Sequence, residues 1–130
     1  MKLFLYVTDE KKLEINNNYD LIMRTNNTNV LDCWFIDDDD DSIVITGATI
    51  FFTIKSKTTD LDTAAILKKD ITTLTDSAAG EAKITLTSTD TASLLGNYIY
   101  DIKIKLSTGE IYTCAEGTIT FRKSLSTRTS

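Results

Sequence analysis

The chain has 130 residues, of which 42% are hydrophobic and 25% charged, and its net charge is −5. That composition is typical of one globular domain with enough chain to bury a core, and it excludes wholesale disorder. An acidic chain without a basic block is poorly suited to phosphate backbones or anionic membranes, and no apolar run approaches the roughly 20 residues of a membrane helix.

Threonine accounts for 22 positions and proline for none. A β-branched hydroxyl side chain suits a pleated, half-wet surface, so this usage points to sheets with one solvated face. The N-terminal text "MKLFLYVTDEKK" holds only a short apolar run, Leu3 to Val7. That run is too short for a secretory leader, and synthesis in the cytoplasm is expected. It reads instead as a first strand over 2–7, followed by strands near 19–25 and 30–36.

Five aspartates, Asp37 to Asp41, then separate two apolar, β-prone runs. Asp37, Asp39 and Asp41 have the alternating spacing that calcium loops use. Ser42 and Ala48, however, stand where such a loop needs a turn glycine and a bidentate glutamate. A solvated connection is the expected reading, and no metal ligand is assigned.

Beyond it, strict alternation sets in. Ile50, Phe52 and Ile54 share one side of "ATIFFTIKS", and Thr49, Phe51, Thr53 and Lys55 share the other. A strand over 64–72 follows, and "DSAAGE" (76–81) connects it to "EAKITLT", where Ala82, Ile84 and Leu86 alternate with Lys83, Thr85 and Thr87. "TSTDTASLLGNY" predicts one short helix with Ser88 as its N-cap and Gly96 as its stop. In "NYIYDIKIKL", Tyr98, Tyr100, Ile102, Ile104 and Leu106 are expected inside, with Asp101, Lys103 and Lys105 outside. "STGE" (107–110) predicts a hairpin with Gly109 at positive φ, leading to a last strand near 110–121. Gly117 suggests a bulge within that strand.

About eight strands with regular turn signals define the expected fold: all-β, an immunoglobulin-like antiparallel β-sandwich with one short helix between late strands. A single domain is expected over 1–122, with a polar tail at 123–130.

Candidate chemistry is sparse. The chain contains no histidine, which removes Ser–His and Cys–His pairs and imidazole metal sites. No nucleophile elbow or phosphate-cradling glycine loop occurs, and nothing singles out two of the 19 acidic residues as a catalytic pair. No catalytic residue, cofactor or metal is therefore predicted. Cys33 and Cys114 are expected to be reduced, small core residues. Phe51, Ile99 and Tyr112 fall at positions otherwise given to polar residues, and Trp34 has ambiguous parity. These four are the candidate contact residues.

From Thr46 to Phe121 the text "TGATIFFTIK … GEAKITLTSTDTASLLGNYIYDIKIKLSTGEIYTCAEGTITF" resembles the immunoglobulin-like N-terminal domain of the tailed-phage baseplate upper protein family. The resemblance implies a structural virion component of baseplate, tail, neck or capsid, made in the bacterial host. It would be present in many copies, would contact other virion proteins, and would bind neither nucleic acid nor membrane. The alternative expectation is a carbohydrate-binding or adhesin-like module. In that module Trp34, Tyr112 or Phe51 would stack on sugar rings, and the aspartate loop would hold calcium.

Overall fold

The computed structural model describes residues 2–7, 20–37, 39, 41–56 and 65–123, the first six as backbone. The asparagine run at 16–18 and the tail beyond Lys123 lie outside the described residues. Among the described residues, eight strands form two sheets: β1 (Lys2–Val7), β2 (Leu21–Arg24), β3 (Asn29–Ile36), β4 (Thr49–Lys55), β5 (Leu67–Ile71), β6 (Glu81–Leu86), β7 (Gly96–Lys105) and β8 (Ile111–Arg122). The smaller sheet has the order β1-β3-β6 and the larger β2-β8-β7-β4-β5. The fold is a β-sandwich, as the alternating pattern predicts.

Alternation determines which side chains enter the core. In β4, Ile50, Phe52 and Ile54 are fully buried while their neighbours are half-exposed. In β6, Ala82, Ile84 and Leu86 are buried between exposed Glu81, Lys83 and Thr85. In β7, Tyr100, Ile102 and Ile104 are buried, and Tyr98 packs against them from the rim. Phe35 and Leu31 from the smaller sheet meet Phe52, Phe121 and Met23 from the larger. Each such side chain contributes roughly 1.5–3 kcal/mol by leaving water, which is what orders two Thr-rich sheets against each other.

Three local features differ from expectation. β2 runs parallel to β8, from Leu21 opposite Ile119 to Arg24 opposite Arg122, so the sandwich is not wholly antiparallel. The helix α1 (Ser88–Thr91) is present, but Thr87 caps it rather than Ser88. Thr87 accepts from the Asp90 amide at 3.1 Å while Asp90 accepts from the Thr87 amide at 2.8 Å, a reciprocal box that satisfies two orphan donors. Gly96 opens β7 with φ 98° instead of stopping the helix, whose C-cap is Ala92.

The third difference is the bulge in β8. Gly117 sits in regular register opposite Tyr100, and the ladder slips between Ile102 and Lys103 instead. Thr113 faces Lys103 and Ala115 faces Ile102, which leaves Cys114 as the extra residue. A bulge reverses the facing of a strand, and here Cys114 and Ala115 are both buried.

Tertiary ties hold the ends of the sandwich. The Tyr98 hydroxyl donates to the Leu95 carbonyl at 3.2 Å and accepts from the Leu95 amide at 3.3 Å, pinning the entry to β7 in the manner of a tyrosine corner. Lys69 on β5 pairs with Asp90 on α1 at 2.6 Å, and this hydrogen bond is the main cause holding the Asp90 carboxyl below its ordinary range. The Thr25 hydroxyl donates to the Leu94 carbonyl, and buried Thr91 donates to the Asn27 carbonyl at 3.0 Å, so the β2–β3 turn docks on the helix.

Candidate functional site

The four candidate contact residues do not form one patch. Phe51 on β4 and Ile99 on β7 share the outer face of the five-stranded sheet. Cross-strand partners lie on the same face, and the pairs Phe51–Lys103, Thr53–Asp101 and Lys55–Ile99 run in order across that surface. Trp34 lies on the outer face of the other sheet, between positions Phe4 and Glu81. Its indole N–H donates to Ser42 Oγ at 3.1 Å and so ties down the end of the aspartate loop.

Tyr112, expected to face outward, pairs with core residue Ile104 because of the bulge at Cys114. It projects at the end of the sandwich on the inner side of the strand and is 39% exposed. Its hydroxyl donates to the Glu110 carboxylate, and that bond with the adjacent charge pushes the phenol above its ordinary pKa. A single sugar-stacking platform made of Trp34, Phe51 and Tyr112 is therefore ruled out by topology.

The aspartate loop is a turn stapled by its own first residue. The Asp37 amide donates to the Asp41 carbonyl at 2.8 Å. The Asp37 carboxylate oxygen Oδ1 accepts from the amides of Asp39, at 2.9 Å, and Asp41, at 3.0 Å. Ile36 and Ser42 close the turn as an antiparallel bridge. One carboxylate is thus spent on local amides, the side-chain-to-backbone bonding that makes aspartate a turn former. No group of three potential ligands gathers among the described residues. Asp37→Ala should lower the unfolding free energy by about 1 kcal/mol, the scale of a lost capping carboxylate, and added calcium should leave the wild-type melting temperature unchanged. Thermal melts of both proteins with and without calcium check this.

Both cysteines are buried thiols outside any disulfide. Burial first, then the Asp32 charge and the neighbouring Cys114, push Cys33 far above the ordinary thiol range. Burial likewise pushes Cys114 up to about 11. Both stay protonated at neutral pH and act as small apolar residues, as expected.

The outer face of the five-stranded sheet carries a hollow of about 470 Å³, which sequence reasoning did not find. Thr53 and Lys55 from β4, Ile99 and Asp101 from β7, and Glu116 and Thr118 from β8 line it. Asp101 and Glu116 stand directly opposite each other. Opposed like charges weaken a sheet by a few tenths to about 1 kcal/mol, so this pair disfavours the folded state slightly unless a nearby cation offsets it. Lys55 lies one diagonal step from Asp101, across the Thr53–Asp101 and Lys55–Ile99 pairs. The hollow thus combines an apolar wall at Ile99 with two hydroxyls, two carboxylates and one ammonium group. Such a surface presents hydrogen-bonding groups and charges of both signs. Its only early signal was the outward parity of Phe51 and Ile99.

The fold and this hollow define the class: an all-β sandwich with a polar-lined depression on one sheet face. No family model matches the chain, and no curated protein sequence matches it. Among solved structures it is similar to the PmoD soluble domain from Methylocystis sp. ATCC 49242 (Rockwell), with a TM-score of 0.48 and 9% identity over 92% of this chain and 89% of that one. It is also similar to CopC from Methylosinus trichosporium OB3b, with a TM-score of 0.45 and 13% identity over 95% of this chain and 99% of that one. These findings correct the expected tailed-phage role: the neighbours found are PmoD and CopC, not baseplate, tail or capsid proteins. Alternating Thr-rich strands with glycine turns recur wherever sandwiches do, which is the physical reason the text resembled that family.

Proposed function

We propose that the protein is a non-catalytic recognition module whose docking face is the outer surface of the five-stranded sheet. The observation that carries this reading is the hollow between β4, β7 and β8, with half-exposed Ile99 in its wall and half-exposed Phe51 on the same face. Half-buried apolar side chains ringed by hydroxyls and both signs of charge are the makings of a small protein-contact surface: an apolar centre to exclude water and a polar rim to set register. The lining sets one apolar wall among side chains of both charges, which suits contact through hydrogen bonding and charge.

A photo-crosslinking amino acid tests the reading. Placed at Phe51 and expressed in the native cells, it should capture a discrete protein partner. At Trp34, on the opposite sheet, it should not. Equal capture at both positions, or none at Phe51, removes the docking face.

A further inference from the structure

The smaller sheet ends in β6, whose outer edge has a hydrogen-bond inventory that can be closed group by group. The Phe35 amide donates to the Gly80 carbonyl at 2.8 Å, which sets the phase of the β3–β6 ladder: Ala82, Ile84 and Leu86 direct their backbone groups at β3. Glu81, Lys83 and Thr85 then direct theirs away from it. Glu81 confirms the phase, because its amide and carbonyl are both bonded to Asp76, at 2.9 and 3.1 Å. At the other end the Thr87 amide is held by Asp90 and the Thr87 carbonyl by the Thr91 amide. Lys83 and Thr85 remain, and among the described residues neither amide nor carbonyl of either has a partner. An unpaired strand edge of this kind is a template for another strand.

We infer that this edge pairs with β6 of a second copy of the chain, antiparallel about a two-fold axis, with Lys83 opposite Thr85 of the other copy and Ile84 opposite Ile84. The two-fold and the two-residue side-chain period leave few registers. Shifting by one step places Lys83 opposite Lys83, a like-charge pair. Shifting by another requires Glu81 to abandon Asp76. Only the Lys83–Thr85 register uses all four open groups on each copy, in four intermolecular hydrogen bonds, and opposes no like charges. Lys83 also brings its own counter-ion, Asp32, 3.9 Å away on β3. Four hydrogen bonds with little new apolar burial make a weak contact after the cost of association, so the affinity falls in the high-micromolar to millimolar range. The edge is on the sheet opposite the proposed docking face and does not depend on it.

Sedimentation equilibrium from about 10 µM to about 1 mM should show the average mass of the wild-type chain rising toward the dimer, at concentrations set by that weak affinity. Thr85→Pro removes one outward donor without touching the β3 ladder and should stay monomeric over the same range. Should that variant misfold, amide exchange of the wild type decides. Exchange at Lys83 and Thr85 should slow about two- to threefold between the dilute and concentrated samples, the share of chains such an affinity pairs at about 1 mM, while Ala82 and Ile84 are unchanged. A wild-type chain that stays monomeric throughout, or that associates with the Lys83 and Thr85 amides unprotected, overturns the inference.

Discussion

Truncating Phe52 to alanine should cost about 3–5 kcal/mol of unfolding free energy, a large share of the roughly 5–15 kcal/mol that a domain of this size possesses. Phe52 sits on the central part of the five-stranded sheet, opposite Ile102 on β7 and Lys69 on β5, and is fully buried. Its ring lies 6.0 Å from that of Tyr100, tilted by 37°, so its removal opens a cavity bounded by a rigid neighbour rather than one that can collapse. Phe51, one residue earlier, faces the other way. Phe51→Ala should cost no more than about 1 kcal/mol, because the side chain is already in partial contact with water. Urea denaturation of both variants measures the difference. Equal losses would mean that the alternation along β4 does not set its inner face.

Gly80→Ala should cost on the order of 3 kcal/mol, from two separate causes. Gly80 has φ 73°, and a left-handed conformation costs an alanine about 1–2 kcal/mol. An added Cβ would also stand 2.5 Å from the Phe35 carbonyl oxygen and 2.7 Å from that of Ile43, both backbone atoms that cannot swing aside. Relief requires moving the turn whose Gly80 carbonyl receives the Phe35 amide, and with it the phase of β6 against β3. Gly109→Ala separates the causes. Gly109 has φ 94° but nothing within 4 Å of a built Cβ, so it should lose only the conformational part, about 1 kcal/mol. Indistinguishable melting curves for the two variants would show that the close approach at Gly80 is absorbed by relaxation.

The strands were legible where one residue type at a time decides the outcome. Ile50, Phe52 and Ile54, then Ala82, Ile84 and Leu86, then Tyr100, Ile102 and Ile104 announce their inner faces by a period of two. Gly109 announces its turn by needing positive φ. The bulge was not legible, because a bulge is a property of a ladder: it exists only once Thr113 and Ala115 have partners on β7 whose count differs by one. That single slip moved Tyr112 off the face assigned to it. Thr87 displaced Ser88 as the helix cap for a similar reason. Both carry the right hydroxyl, and the choice fell to whichever placed Asp90 three residues downstream within reach of its amide.

The amino-acid order by itself determined that this protein is an all-β sandwich without histidine chemistry, with its cysteines as core filler and its acidic run as a connection between strands. These follow from side-chain parity, from the absence of a residue type and from local hydrogen bonding, all of which act over a few residues. Only the tertiary structure decided which strands are neighbours: that β2 runs alongside β8, that β4, β7 and β8 enclose a hollow, that Trp34 and Phe51 occupy opposite sheets, and that two residues on the β6 edge have no backbone partner among the described residues. Those facts depend on contacts between segments far apart in the chain, where many pairings satisfy the same alternation and only the packing of the whole core selects one.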